Sequence, residues 1–454
     1  MSCNKLCELH IAFDDIDSPY GGCTTHAATY LLELLQRESS IELLDYPHLV
    51  RLNPSIPWKT RGNGAIALHM LLNCEKVELA VHRAEDFLLR YLKYFRGNEY
   101  DAGFVAVFGS IPESFSDIYI RALTDILEMS TVMRLVNKSK NIYVSECLRG
   151  RGLVGAIAAL GWYHNMTDYT FELITYRSTS KLGKHERCID IRSVIEFDIK
   201  YSKYTFNNVD TETQRILIAS HGPDPVLYGV RGDDTSILKS ALYEIGVCEP
   251  IAAWAIFRTN QATDSHVIER RVGEVRAFQT ARLKGIVTSN PVRIAGGHVL
   301  VKIADVTGYI TIAFFKPSGL THVASQLSIG DLVDVQGSVK PWRGELVLHA
   351  EKIRILNLST NQIPIPYCPR CKGKMKKVGK GKGFTCLTCG YRTTIITQLK
   401  TSIRALSHTI HIPPPRAQKH LTKPLRRYGR LKPYKSDLSK AEPIFKIYEP
   451  LQFL

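Results

Sequence analysis

The sequence predicts a multidomain α+β protein: two α/β units, an OB-type β-barrel, a zinc ribbon and a basic tail. Three observations predict it. Strands and helices alternate through the first 278 residues, five β-patterned runs follow in about 80 residues, and four cysteines then stand as C-x2-C-x14-C-x2-C.

The first unit is expected over 1–131. Leu9, Ile11 and Phe13 alternate as a strand, and an acidic loop follows. TTHAATYLLELLQR has helical spacing over 24–37. NPSIPW at 53–58 reads as a connection, KTRGNGAIALHML at 59–71 as a glycine turn entering a strand, and AGFVAVFGS at 102–110 as a buried strand. DIYIRALTDILEMSTVMRLV predicts one amphipathic helix over 117–136. The second unit is expected over 132–278, with helices at 152–162 and 235–247 and strands at 170–177 and 252–259. One helix per pair of strands fits a ferredoxin-like layout. The barrel is expected over 279–358, its strands broken by Asn-Pro, Gly-Gly and Thr-Gly turns. The ribbon follows over 363–397 and the tail over 398–454.

Tetrahedral zinc takes four thiolates, and each C-x2-C turn presents two, so Cys368, Cys371, Cys386 and Cys389 read as a structural zinc site. Gly373 and Gly390 follow the knuckles, where tight turns favour glycine. The other seven cysteines are dispersed, which is not a secreted disulfide framework. No apolar run reaches the roughly 18 residues of a membrane span. The first residues lack a signal-peptide layout, and a soluble cytoplasmic protein is expected.

The net charge is +16, and residues 366–454 carry 20 Lys and Arg against 3 Asp and Glu. A neutral body with a basic end points to a polyanion, most simply nucleic acid; the plain alternative is a solvated tail. Lys374, Lys376, Arg426 and Arg427 are candidate RNA contacts, and Trp342 with Arg343, at a predicted hairpin tip, offers a stacking surface for an unpaired base. Phe314 and Phe315 are neighbours on one strand and face opposite ways, so one belongs to the core.

FDDIDS places Asp14, Asp15 and Asp17 where a strand ends. Three carboxylates so close repel one another unless a cation sits among them, and Mg²⁺ is held by one or two carboxylates plus phosphate oxygens. Gly21 and Gly22 let backbone amides approach an anion at the following helix start, where Thr24 or Thr25 caps the helix or presents a hydroxyl. Lys59, Arg61, Gly62, Asn63 and Gly64 form a cationic glycine turn in the same unit. Together these loops suggest a nucleotide-phosphate site; singly, each is equally an acidic surface loop with a threonine cap.

At this point the chain resembles the archaeal tRNA 2-agmatinylcytidine synthetase family, TiaS. The resemblance rests on IAFDDIDS, GGCTT, RLNPSIPWKTRGNGA, RGRGLVGAIAALG, GPDPVLYGVRG and TNQATDSH, in family order, and covers roughly 1–397. One departure is Ile16, where the family's acidic motif usually has Thr. The resemblance implies a kinase-like first domain that uses ATP to phosphorylate the C2 carbonyl of the wobble cytidine of an isoleucine tRNA with a CAU anticodon. Agmatine then displaces phosphate, giving agmatidine, with ATP consumed to AMP and phosphate. Asp14, Asp15 and Asp17 would hold Mg²⁺ and the triphosphate, with Asp14 and Asp15 as the metal ligands. Thr24 aligns with the threonine used in phosphoryl chemistry.

A guanidinium needs a carboxylate, and Asp190 and Asp224 are the candidates for agmatine; Asp224 is equally a turn residue between prolines. Arg151, Gly152 and Gly155 approach ligand or RNA, or simply cap and pack their helix. The rival reading is a non-catalytic RNA-binding protein with the same barrel and ribbon, or a related cytidine-modifying enzyme using another amine.

Overall fold

The computed structural model describes residues 5–59, 62–97, 101–182, 184–359, 362–364, 367–379, 382–394, 399–401, 404, 406, 408–435 and 443–451. Two compact units result, one from 1–268, 276–280 and 412–454, the other from 269–275 and 281–411.

The first unit runs β1 (Leu6–Asp14), α1 (Thr24–Ser39), β2 (Glu42–Leu43), β3 (His48–Arg51), β4 (Gly64–Asn73), α2 (Val77–Arg96), β5 (Gly103–Phe108), α3 (Ser114–Thr124), α4 (Met129–Val136), β6 (Ile142–Arg149) and α5 (Gly152–Gly161). It continues through β7 (Thr170–Arg177), α6 (Ile191–Lys200), β8 (Thr205–Phe206), β9 (Val209–Asp210), β10 (Arg215–Ile216), β11 (Val226–Gly232), α7 (Thr235–Glu244) and β12 (Ile251–Thr259). One sheet passes through both predicted α/β units in the order β6-β5-β1-β4-β3-β12-β7-β11-β8. Its halves join where β3 and β12 pair in parallel, His48 beside Arg258 and Leu49 beside Thr259. The strand Phe445–Ile447 pairs with β12 at Ala253–Ala255.

Period-two alternation sorts the side chains onto two faces. Leu9, Ile11 and Phe13 of β1 pack with Leu31, Leu35, Leu88 and Tyr91 of α1 and α2. Ala12, Val105 and Val107 face the layer of Leu153, Ile157, Val194, Phe197 and Leu238 from α5, α6 and α7. β1 lies between β4 and β5, so Asp14 emerges at the end of a central strand, opposite Gly103.

One sequence expectation changes. The helix expected over 117–136 is two helices, because Asp125 is extended and its carboxylate accepts from the Ile126 N–H at 2.8 Å. The residues 142–161, expected in the second unit, pack on the first half of the sheet: β6 pairs with β5, and α5 lies on β1, β4 and β5. Sheet pairing also gathers dispersed cysteines, joining Cys7 to Cys74 and Cys188 to Cys248 as disulfides.

In the second unit the strands Thr280–Val287, Val299–Asp305, Gly308–Phe314, Leu332–Trp342 and Glu345–Asn357 close a barrel through pairing of the first with the second. Phe314 is in the core and Phe315 lies between His298 and His349. Trp342 is 46% exposed at the hairpin tip with Arg343 over its ring. In the ribbon the four cysteine sulfurs lie within 4.8 Å of one another, which fits one tetrahedral ion. Lys372 and Gly390 take the left-handed turns. Gly373 is needed for closeness instead, since a Cβ there would meet Thr388 Oγ1 at 2.5 Å. No helix among the described residues is long and apolar enough to cross a membrane.

Candidate active site

Asp14 ends β1 with its carboxylate turned inward, accepting the Asp15 N–H at 2.7 Å. The N-terminal end of α5 is pressed against it: a Cβ on Gly155 would stand 1.9 Å from Asp14 Oδ2, so only glycine admits this contact. Burial pushes the Asp14 carboxyl up to about 8, and its neighbours Asp15 and Asp17 push the same way. Asp15 is in the left-handed region at φ 59°, an unusual conformation for a non-glycine residue. Its Oδ1 is buried without a hydrogen-bond partner among the described residues, while Arg96 stands 3.7 Å from Oδ2. Burial raises the Asp15 carboxyl to about 6. Two carboxyls lifted in this way, Asp14 buried and Asp15 half-buried, fit a site whose charge a cation completes.

Asp17 turns the other way, and its Oδ1 accepts both the backbone N–H and the hydroxyl of Thr24, at 3.0 and 3.2 Å. Thr24 is the first residue of α1, and the cap is Cys23, whose sulfur accepts the His26 N–H. Thr24 is therefore not the N-cap, and its hydroxyl is held on a carboxylate.

The acidic loop borders two cavities. The smaller, about 120 Å³, is lined by Asp14, Asp15, Asp101, Asp125, Trp58, Lys59, Asn63, Arg151, Gly152 and Gly155, among others. Arg151 stacks on Trp58 at 4.4 Å, and its N–H is held by Asp101. The larger, about 320 Å³, holds Asp17, Thr24 and Thr25 with Gly62, Gly64, Asp224 and a group of charged side chains absent from the sequence expectation. There Arg231 Nε donates to Glu172 Oε1 at 2.9 Å, Arg51 stands 3.8 Å from Oε2, and Gln261 donates to Oε2. His420 Nδ1 meets Gln261 Oε1 at 2.9 Å. The arginines hold the Glu172 carboxyl below its ordinary value against its burial.

Models of the TiaS TCKD domain, the TiaS FLD domain, an OB-fold nucleic acid binding domain and the TiaS C-terminal zinc ribbon domain match residues 10–79, 150–266, 281–356 and 365–403. The isoleucine-tRNA 2-agmatinylcytidine synthetase TiaS of Ignisphaera aggregans is 45% identical over 94% of this chain and 95% of its own length. That of Staphylothermus marinus is 38% identical over 93% and 94%. The chain belongs to the TiaS family. A solved complex of TiaS with its isoleucine tRNA and ATP superposes with a TM-score of 0.81 at 32% identity, covering 93% of this chain and 98% of that one. A complex of TiaS with the same tRNA, AMPCPP and agmatine gives 0.77 at 30% over the same shares.

Within this TiaS fold the expected residues are placed unevenly. Asp14, Asp15, Lys59, Asn63, Arg151 and Gly152 share one cavity; Asp17, Thr24, Thr25, Gly62, Gly64 and Asp224 share the other. Gly152, expected beside agmatine, therefore lies with the first group, where a Cβ would meet the Asp14 carbonyl at 2.6 Å. Gly21 and Gly22 are buried in the turn, and Gly22 packs on Phe95, which is reason enough for its lack of a side chain. Asp224 accepts from Ser220 and from the Val226 N–H, with Arg187 at 3.4 Å. Asp190 caps α6, accepting the N–H groups of Arg192 and Ser193, and lines neither cavity. Ile16, the departure from the acidic motif, is buried in the core under α1 and α2. Arg61 lies outside the described residues.

The basic tail needs the largest correction. Arg427 is 1% exposed and joins Asp168 and Asp233, and Arg426 joins Asp198. Residues 412–435 are a packed part of the first unit, not a free RNA arm. Lys374 and Lys376, on the ribbon, are exposed as expected.

Proposed function

We propose that this chain is an ATP-dependent ligase that joins agmatine to C2 of the wobble cytidine of the isoleucine tRNA with a CAU anticodon, acting in the cytoplasm. The observation that carries this reading is the acidic loop, whose three carboxylates and Thr24 hydroxyl are shared between adjoining cavities. An oxygen on C2 is a poor leaving group, and phosphorylation makes it a good one. Phosphoryl transfer is mainly positioning and charge neutralisation, which is what an inward carboxylate set can organise.

Asp14 and Asp15 are the ligands for Mg²⁺, with Asp17 orienting Thr24 toward the phosphoryl chain. Bound Mg²⁺ supplies neutralisation of triphosphate charge. Lys59, Asn63, Gly62 and Gly64 flank the nucleotide. Arg51, half-buried at the larger cavity, adds a cation on that side. Asp224 is the candidate for the guanidinium. Amine and phosphorylated carbon must meet at one place, and Thr24 and Asp224 border the same cavity. Trp342, Arg343, Lys374 and Lys376 are the RNA contacts, and the ribbon cysteines hold Zn²⁺.

The test incubates the protein with ATP, labelled agmatine and that isoleucine tRNA. Label should enter the tRNA only with ATP and Mg²⁺. Asp15→Asn should lower modification by about three orders of magnitude, the scale of a lost phosphoryl-site group, while tRNA binding persists. Near-normal turnover by this variant removes the acidic loop from the reaction. Binding of tRNA with no labelling by the wild type leaves the plain RNA-binding reading.

A further inference from the structure

We propose that the C-terminal segment forms part of the wall of the larger cavity, and that His420 Nε2 accepts a hydrogen bond from the attacking primary alkyl amine. The proposal rests on the activity proposed above and adds a substrate-contacting residue to it.

The segment is held firmly where His420 sits. The Ala262 and Asp264 N–H groups donate to the carbonyls of His420 and Leu421, both at 2.9 Å, and the Lys423 N–H donates to Asp264 Oδ1 at 2.7 Å. Ala262 and Asp264 both adopt positive φ, 59° and 61°, a strained geometry that the docked segment helps to maintain. On either side, Arg416 bonds Asp210, and Lys423 and Arg427 bond Asp168. His420 then enters the cavity beside Arg51, Glu172 and Thr24.

The hydrogen-bond chain fixes the imidazole tautomer. Glu172 is an acceptor only, so the Gln261 group facing it is the amide nitrogen. Gln261 therefore turns its oxygen to His420, and Nδ1 must carry the proton it donates. Nε2 is left as an acceptor. It borders Gly62, where a Cβ would stand 3.3 Å from Nε2 and 2.2 Å from Arg51 Nη1, so glycine lets Arg51 and His420 reach the cavity wall here. Burial first, then the charges of Arg51 and Arg231, hold the imidazole well below its ordinary pKa. A ring that stays neutral adds no positive charge to repel a cationic amine.

Asp17, Glu172 and Asp224 give the cavity three carboxylates against the two arginines, which suits a substrate with a guanidinium at one end and an amine at the other. The ammonium first gives one proton to solvent, which frees the nitrogen lone pair; with one remaining N–H held by Nε2, that lone pair is turned to C2. The nitrogen forms the bond to C2, the C2–O bond breaks with its electron pair leaving on phosphate, and a second amine proton is lost to solvent.

Two substitutions separate the roles of the two ring nitrogens. His420→Asn keeps an N–H at the Nδ1 position for Gln261 and has nothing at Nε2. His420→Gln puts a carbonyl near the Nε2 position and loses the Nδ1 donor. The Asn variant should raise KM for agmatine roughly tenfold, the upper range for one hydrogen bond, and weaken agmatine binding to the full chain by calorimetry alike. Its melting temperature, KM for ATP and tRNA affinity should stay at wild-type values. The Gln variant should recover most of the agmatine KM despite a lower melting temperature. Wild-type agmatine KM and binding in the Asn variant overturn the proposal, as does loss that follows melting temperature in both variants. Either result with an active wild type leaves the ligase reading standing; a wild type that transfers no agmatine removes both.

Discussion

On the zinc ribbon, Arg370, Lys372, Lys374 and Lys376 are exposed, and in the C-terminal segment Arg416, Lys423, Arg426 and Arg427 are tied to Asp210, Asp168 and Asp198. Both stretches look alike in composition. Their difference lies in partners far up the chain: Asp233 is 194 and Asp168 is 259 positions before Arg427. Charge counted along a sequence measures what the unfolded chain carries. Charge available to a polyanion is what remains after the fold has paired it, and the four ribbon cations named above remain exposed.

Breaking the buried half of this contrast should have the largest effect on stability. Arg427→Met removes the buried cation between Asp168 and Asp233 and leaves Asp168 to Lys423 and Asp233 to Arg430, at a cost of about 3 kcal/mol, the lower end for breaking a buried pair. Thermal and denaturant unfolding should register that loss, with the salt dependence of tRNA binding unchanged once the variant is folded. An Arg427→Met protein of wild-type stability but weak tRNA affinity would place Arg427 with the ribbon lysines after all.

The ribbon half is broken through its metal. Cys386→Ser should release the single Zn²⁺ measured by elemental analysis and weaken tRNA binding, while unfolding of the first unit keeps its midpoint. A metal-free protein that binds tRNA as tightly as the wild type would separate the exposed lysines from RNA.

A pH-dependent effect concerns the acidic loop. The Asp14 carboxyl is raised to about 8 in the folded chain, far above the ordinary carboxylate range. The folded state therefore binds that proton more tightly than the unfolded state, so stability is full below about pH 4 for this group and falls as pH rises toward 8. Without divalent ions, Asp14→Asn should flatten the decline in melting temperature over this window, and Mg²⁺ should flatten it in the wild type. Equal slopes in both proteins would remove Asp14 as the cause.

The smallest effect tests the exposed lysines one at a time. Lys374→Ala and Lys376→Ala should each lower the slope of log affinity against log salt by about 0.7–0.9 and leave the melting temperature alone. An unchanged slope would mean that these side chains stay in solvent when tRNA binds.

The barrel, the ribbon and the acidic loop were legible because each is written in one continuous stretch. The cluster of Arg51, Glu172, Arg231, Gln261 and His420 was not, since β3, β7, β11, the turn after β12 and the C-terminal segment each supply one member. A faint signal existed: Glu172 sits within the apolar run TFELITYR and Arg258 within AAWAIFRT. A charge inside a strand buried on both faces requires a partner. Arg258 has one in Asp45, at 2.8 Å. The break at Asp125 was hidden because helical periodicity continues on both sides of it. Asp190 was misassigned because a helix cap and a ligand carboxylate look the same in isolation.

The strand Phe445–Ile447 lies against β12 in the main sheet, and the segment before it borders the larger cavity. A ribosome delivers these residues after the elements they pack on. While they are still in the exit tunnel, the acidic loop and Thr24 are already made, but the cavity is unfinished and Asp168, Asp198 and Asp210 lack their arginines. Completion of the cavity thus comes late in synthesis, and a product terminated before His420 would carry the acidic loop without the wall proposed to contact the second substrate.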